Sequence, residues 1–232
     1  MALERVPTGI EGLDRLIGGG LVRGSRTLTY GPPGTGKTVF GMQFAWEGIK
    51  REEVVSYDSL DRPFAYLRGY FDSFGWKIGP HESQGWLVPV QSFPHYATHR
   101  KEPHIIYYNP LSLEEMRTLG AELSRRKVKR LVCGDYTEGF RASLPVQEIL
   151  DITRWTLAWA FENGITGIDL ITGTQGDSEG DRMRAMVEKY VNNVIYLRVR
   201  DGQREMKILK MEAADHPLDW LPFNITKDGI VL

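Results

Sequence analysis

Gly31-Pro32-Pro33-Gly34-Thr35-Gly36-Lys37-Thr38 satisfies G-x-x-x-x-G-K-[ST], the phosphate-binding loop. Upstream, Arg26 to Tyr30 (RTLTY) reads as a short strand, with Thr and Tyr suited to a half-buried pleated surface. Downstream, Lys37 to Lys50 (KTVFGMQFAWEGIK) reads as a helix whose buried faces carry Phe40, Phe44 and Trp46 or Ile49. Strand, glycine loop and helix are the context that the motif requires. Glycines let successive N–H groups curl inward around an oligophosphate, and the opening helix adds its positive end. Lys37 is placed to reach the β- and γ-phosphates, and the Thr38 hydroxyl to ligate Mg²⁺. The stretch from Gly31 to Val39 is therefore the expected ATP/ADP site, with Mg²⁺ as its ion. The plain alternative, a glycine-rich turn that matches by accident, leaves the flanking strand and helix unexplained.

The chain of 232 residues suffices for one large α/β domain, expected to span residues 1–232. Its formal charge of −1 gives no bulk attraction to nucleic acid or to an anionic membrane. The single cysteine, Cys133, sits in an apolar run (LVC), where a small buried side chain is expected rather than a nucleophile. One cysteine cannot form an internal disulfide. With no apolar run of signal-peptide or membrane-spanning length, a cytoplasmic protein is the expectation.

Thr8 and Glu11 have capping-box spacing, so a short helix is expected from there, with Ile10, Leu13, Leu16 and Ile17 on its apolar face and Gly18 to Gly20 as its stop. The string from Thr8 to Phe44, TGIEGLDRLIGGGLVRGSRTLTYGPPGTGKTVFGMQF, resembles the opening of the KaiC-like branch of RecA-like ATPases. Members of that branch run from TGI-x-GLD-x-L-GGG into GPPGTGKT, and the similarity continues at moderate strength to the C-terminus. The resemblance implies an ATPase whose nucleotide lies at subunit interfaces of a ring, a homohexamer.

Val54 to Leu60 (VVSYDSL) is a strand candidate, and Pro63 opens a helix to about Ser73. The KaiC-like pattern ends this strand in two glutamates, one of which polarises the attacking water. Registering on Leu60, Arg68 and Phe74-Gly75-Trp76 puts Asp61 and Arg62 in their place. Asp61 keeps the charge on a side chain one methylene shorter, a displacement of ~1 Å that can cost ~10²-fold in rate. Asp58 is the rival if the strand ends earlier, and a solvated strand end with a local ion pair is the plain reading.

Trp86 to Val90 (WLVPV) reads as a strand that Pro89 confines to an edge or a bulge. Between Gln91 and Pro110, His95 and His99 have i, i+4 spacing, but Pro94, Pro103 and the lack of a third ligand favour an aromatic loop over a zinc site. That loop, with Phe93, Tyr96, His104, Tyr107 and Tyr108, is expected to pack against a neighbouring subunit. Ser112 and Glu115 form a second capping box, opening a helix to about Arg126, and the run Arg125, Arg126, Lys127, Lys129 and Arg130 reads as a solvated helix end. Leu131 to Gly134 then leads to Asp135, which the resemblance places at the end of the Walker B strand, as a ligand of Mg²⁺ directly or through water. Asp135 as the first residue of a turn is the plain alternative.

Val146 to Asn163 has helical periodicity with Gly164 as its stop, and Thr166 to Thr174 reads as a strand. Gln175 falls where the superfamily places a polar sensor of the γ-phosphate. The stretch GDSEGDRMR that follows lies where recombinases present a DNA-binding loop. Asp177, Glu179 and Asp181 leave it no net basic surface, which disfavours a recombinase or helicase. The end of the chain is β-rich, with hairpin turns at Asp201-Gly202 and Asp228-Gly229. In the KaiC-like pattern a K-M-R-G strand touches ATP held by the adjacent subunit. Here Lys210 and Met211 match and Glu212 and Ala213 do not, leaving Lys210 as the residue for that role or as an ordinary exposed strand lysine.

The expected fold is α/β and RecA-like: a mostly parallel sheet covered by helices on both faces, with antiparallel hairpins at one edge. The expected function is slow Mg-dependent ATP hydrolysis in a ring oligomer, with Lys37, Asp61, Asp135 and Gln175 as the catalytic set. A nucleotide-binding switch or scaffold with little turnover is the alternative, supported by the departures at Asp61, Arg62 and Glu212.

Overall fold

In the computed structural model, residues 3–60, 62–91, 102–134, 145–173, 185 and 187–232 are described. The phosphate-loop unit forms as the sequence implies: β3 (Arg26–Gly31), the loop, then α2 (Lys37–Lys50). Before it stand a small antiparallel pair, β1 (Arg5–Val6) with β2 (Leu21–Val22), and between them α1 (Glu11–Leu16). After it come β4 (Val55–Ser59), α3 (Phe64–Ser73), α4 (Gly79–Ser83), β5 (Leu87–Gln91), β6 (Ile106–Tyr107), α5 (Leu113–Arg125), β7 (Arg130–Cys133), α6 (Val146–Glu162) and β8 (Thr166–Thr172). The chain closes with β9 (Asn193–Arg200), β10 (Gln203–Lys210), β11 (Leu221–Thr226) and β12 (Gly229–Val231).

Among the described residues one ten-stranded sheet runs β12-β11-β10-β9-β3-β8-β7-β4-β5-β6. From β9 to β6 every neighbouring pair is parallel, and from β9 to β12 every pair is antiparallel. The turn between β9 and β10 is Asp201-Gly202, both at positive φ, as a two-residue hairpin of this twist requires. Pro89 sits in β5 before the point where β6 joins at Val90, so on that side β5 is still an edge and the missing N–H leaves no gap in the ladder.

Alternation along the central strands divides the molecule into two layers. Tyr57, Val132, Ile168 and Leu170 face α2 and α3, where they meet Phe40, Phe44, Phe64 and Phe71. Val88, Val90 and Leu131 face α5 and α6, where they meet Leu123 and Ala160. The helix α2 lies close against the sheet because it presents Gly48 there; a Cβ at Gly48 would stand 2.5 Å from Cδ of Arg130.

Two local expectations give way to tertiary contacts. Thr8 does not form a capping box with Glu11: its hydroxyl and its N–H donate to Asp14 at 2.8 Å each, while Glu11 pairs with Arg15. The N-cap is Ile10, two residues past Thr8, and the threonine hydroxyl accepts from the Ile10 N–H at 3.1 Å rather than from Glu11. Leu16 is exposed while Ile10, Leu13 and Ile17 are fully buried. The second correction is Arg130, read as part of a solvated charge run and found with no exposed surface. Its guanidinium pairs with Glu53 and donates to the carbonyls of Pro7 at 2.7 Å and Phe44 at 3.2 Å. Ser112 does cap α5, whose Glu115 N–H donates to the serine hydroxyl at 3.2 Å, while the Glu115 carboxylate accepts from the Asn109 N–H at 2.7 Å instead of closing the box on Ser112.

Breaking a buried pair by removing one partner costs about 3–5 kcal/mol, because the other charge and its acceptors stay behind. Arg130→Leu is therefore expected to lower unfolding free energy in urea by about that amount, and Arg130→Lys to recover only part of it, since an ammonium lacks the forked donor geometry. An unchanged midpoint in Arg130→Leu would show that the pair is dispensable.

Candidate functional site

The loop after β3 is shaped by close backbone approach. A Cβ at Gly31 would stand 2.1 Å from the carbonyl oxygen of Leu197 on β9, and Gly34 and Gly36 take φ of 79° and 108°, open to glycine at no steric cost. Thr35 is buried and its hydroxyl donates to the Pro32 carbonyl at 2.9 Å, closing the loop on itself. The Lys37 ammonium donates to the carbonyls of Gly31 at 2.8 Å and Pro32 at 2.9 Å, so the cation is held at the mouth of the loop. Thr38 is exposed on the first turn of α2, whereas the Val39 side chain is buried in the core and leaves only its main chain to face the loop.

In front of the loop lies a cleft of about 480 Å³ at the carboxyl ends of the central strands. Pro33, Gly34, Lys37 and Thr38 line one side of it. Ser59, Gly134 and Thr172, from the ends of β4, β7 and β8, line its floor. Arg62, Tyr66 and Tyr70 line it from the α3 side. A phosphate chain fits this donor set: a glycine loop, a helix N-terminus over more than three turns, a lysine and a hydroxyl suited to Mg²⁺. Asp61, Asp135 and Gln175 lie outside the described residues, as do Phe93, His95, Tyr96 and His99.

The rival, Asp58, is placed plainly. Its neighbour Tyr57 packs toward α2 and α3, so its own side chain turns to the other face of the sheet. There its carboxylate accepts a 2.6 Å hydrogen bond from the Tyr108 hydroxyl. On that face Asp58, Cys133 and Asp169 stand side by side on β4, β7 and β8, and Arg26 pairs with Asp169 from β3. Burial, added to the neighbouring carboxylates, pushes the Cys133 thiol up to about 12, so it stays protonated and is no nucleophile. The cavity beside this row holds about 60 Å³, far too little for a nucleotide.

Within the chain, Tyr107 and Tyr108 are half-buried: the Tyr107 hydroxyl accepts from the Glu102 N–H at 3.1 Å, and the Tyr108 hydroxyl donates to Asp58. The ladder between β9 and β10 shifts register between Ile208 and Lys210, and the Lys210 ammonium donates to the Val191 carbonyl of its own chain at 2.6 Å. Glu212 is tied to Asn192 and Asn193. The residues that the sequence reading passed over are Tyr66 and Tyr70. Their signal was present, since 66 and 70 are spaced by four and share one face of the helix that Pro63 opens.

The comparisons with known proteins agree with this geometry. A UPF0273 protein of Thermotoga maritima is 29% identical over 99% of this chain and 96% of its own length. Circadian clock protein KaiC3 of Synechocystis is 30% identical over 99% of this chain, which spans 46% of that longer protein. The crystal structure of a KaiC-like protein from Pyrococcus horikoshii superposes with a TM-score of 0.80 at 26% identity, covering 99% of each chain. The family model described as "ATPase: KaiC" matches residues 6–232, so the phosphate loop, the sheet behind it and the C-terminal hairpins all lie within the match, and the chain belongs to the KaiC ATPase family.

Proposed function

We propose that this protein is a Mg²⁺-dependent ATPase of slow turnover, cytoplasmic, acting as one domain over residues 1–232 and assembling into a homohexameric ring with ATP at subunit interfaces. The observation that carries the reading is the 480 Å³ cleft bounded by Lys37, Thr38 and the ends of β4, β7 and β8. Gly31 to Val39 hold the phosphates, with Lys37 on the β- and γ-oxygens. Thr38 and Asp135 hold Mg²⁺, which when bound offsets charge on the phosphate oxygens. Asp61 orients the attacking water and Gln175 senses the γ-phosphate. Lys210 contacts a neighbour's ATP, its ammonium having two donors besides the one given to the Val191 carbonyl. Support for one domain comes from the single sheet that runs from β3 to β12, and from α1, whose Gly12 lies against the C-terminal Leu232.

A nucleotide-gated scaffold with little turnover is the second reading. It is favoured by Arg62 lining the cleft where the family resemblance expects a glutamate. Nucleic acid as a partner is disfavoured by the formal charge of −1.

Three outcomes are expected. Lys37→Ala loses a charge-assisted phosphate contact and should weaken ATP binding by about 10- to 150-fold in calorimetry, corresponding to about 1.5–3 kcal/mol; full affinity in the variant would place the site elsewhere. In phosphate-release assays, with ATP affinity measured alongside, Asp61→Glu should raise turnover and Asp61→Asn lower it by ~10²–10⁴-fold. Asp58→Asn should leave turnover near that of the parent, its carboxylate being committed to Tyr108; turnover lost there and kept in Asp61→Asn would reverse the assignment. Light scattering at micromolar protein with MgATP should give a hexamer, and a monomer under all nucleotide conditions would sink the ring.

A further inference from the structure

Behind the central strands, on the face turned to α5 and α6, two small cavities lie side by side. The larger holds about 60 Å³ between Arg26 and Asp169 of the strands and Ile149, Ile152 and Thr153 of α6. The smaller holds about 40 Å³ between Ser56 and Leu131 of the strands and Leu123, Trp155 and Trp159 of the helices. Asp58, Tyr108, Cys133 and Thr156 line both. Bonded groups keep the walls apart. The Tyr108 hydroxyl is tied to Asp58, the Trp155 and Trp159 rings stack at 6.0 Å, and the Trp159 indole N–H donates to the Ser124 hydroxyl at 3.1 Å.

Each cavity is lined by a buried residue with a polar atom that has no hydrogen-bond partner in the protein. Arg26, 3% exposed, lines the larger one. Its Nε and Nη2 donate to the Asp169 carboxylate, and Nη2 also reaches the Cys133 sulfur at 3.6 Å, but Nη1 has no acceptor. Ser56, with no exposed surface, lines the smaller one. It stands on β4 two residues before Asp58 and on the same face, and its Oγ has neither donor nor acceptor. A buried donor left without an acceptor is costly, and native proteins satisfy nearly all such groups with protein atoms or with ordered water.

Size and lining select the occupant. A water molecule takes about 30 Å³, so the larger cavity has room for about two waters and the smaller for about one, whereas a cavity that admits benzene holds about 150 Å³. An anion would meet the carboxylates of Asp58 and Asp169, and a cation would meet the Arg26 guanidinium. Water is neutral and both donates and accepts. The larger cavity offers it a donor in Arg26 Nη1 and acceptors in the carboxylates and in the Thr153 and Thr156 oxygens. Those two hydroxyls spend their protons on the helix carbonyls of Ile149 at 2.8 Å and Ile152 at 2.9 Å, so toward water their oxygens accept.

We propose that the two cavities are internal hydration sites. Water in the larger accepts from Arg26 Nη1 and donates to a carboxylate or threonine oxygen, and water in the smaller bonds the Ser56 hydroxyl and the Asp58 carboxylate. These waters complete the polar row behind β4, β7 and β8, the strands whose carboxyl ends floor the cleft.

The test is a high-resolution crystal structure of the full chain, with a second crystal pressurised under xenon. Water density is expected about 2.7–3.2 Å from both Arg26 Nη1 and Ser56 Oγ. Xenon should enter neither cavity, since it is taken up by dry apolar cavities. Cavities without water density, or with xenon bound, overturn the proposal. Relaxation dispersion of the water nuclei gives a solution readout, because it counts the waters held inside the protein. Ser56→Val removes the hydroxyl and should lose about one such water relative to the parent, while Ser56→Thr keeps the hydroxyl and the water. The difference between variant and parent cancels any water held elsewhere. An equal count in Ser56→Val and the parent overturns the smaller site. If Ser56→Val does not fold, the crystals of the parent decide both sites.

Discussion

A guanidinium taken wholly out of water must find a carboxylate and acceptors for its remaining donors, and Arg130 meets that requirement by drawing four parts of the chain together. Glu53 enters from the turn before β4, Pro7 from the N-terminal segment, Phe44 from the middle of α2, and Arg130 itself begins β7. Burial works to lower the Arg130 pKa, and the Glu53 carboxylate opposes it. Glu53 is held ionised below the usual carboxylate range because Arg130 and Arg23 outweigh the cost of its own burial. Arg130 also lies over the ring of Phe44 at 4.7 Å and against Gly48, so the same side chain sets how closely α2 approaches the sheet. The constraint acts at the amino ends of the strands. Its effect is felt at the other end of α2, where the phosphate loop lies.

The helix α2 is fixed a second time by Gln43, which donates to the Gly9 carbonyl at 2.7 Å and accepts from the Ile230 N–H at 2.7 Å. One amide therefore joins the N-terminal segment, the central helix and the last strand. A phosphate loop works by pre-arranged main-chain donors, and their arrangement is only as firm as the helix that they open onto. The buried pair at Arg130 and the amide at Gln43 hold that helix from two sides.

The two faces of the sheet carry different chemistry. Toward α2 and α3 the strands offer aromatic and aliphatic residues, and the cleft opens where that layer ends. Toward α5 and α6 they offer Arg26, Asp169, Cys133 and Asp58, a row of polar groups one strand apart in which Arg26 pairs with Asp169 and Asp58 accepts from Tyr108. A single residue's step along β4 moves a side chain from one chemistry to the other. For that reason Tyr57 and Asp58, neighbours in the sequence, have unlike surroundings.

The sequence by itself determined the phosphate loop, the strand and helix around it, the alternation of strands and helices that makes a parallel sheet, and the hairpin at Asp201-Gly202. These are local properties: spacing, periodicity and turn chemistry are set by residues within a few positions of one another. Tertiary structure alone decided that Arg130 is a buried hub rather than the end of a solvated run, and that Thr8 answers to Asp14. It also decided that Lys210 donates to the Val191 carbonyl and that the Tyr108 hydroxyl donates to Asp58. Each depends on a partner brought near by the fold, in the case of Arg130 from 77 and 123 residues away. A charge in a sequence carries no mark of whether it will be buried, because the penalty and the compensation arise only when the chain has closed around it.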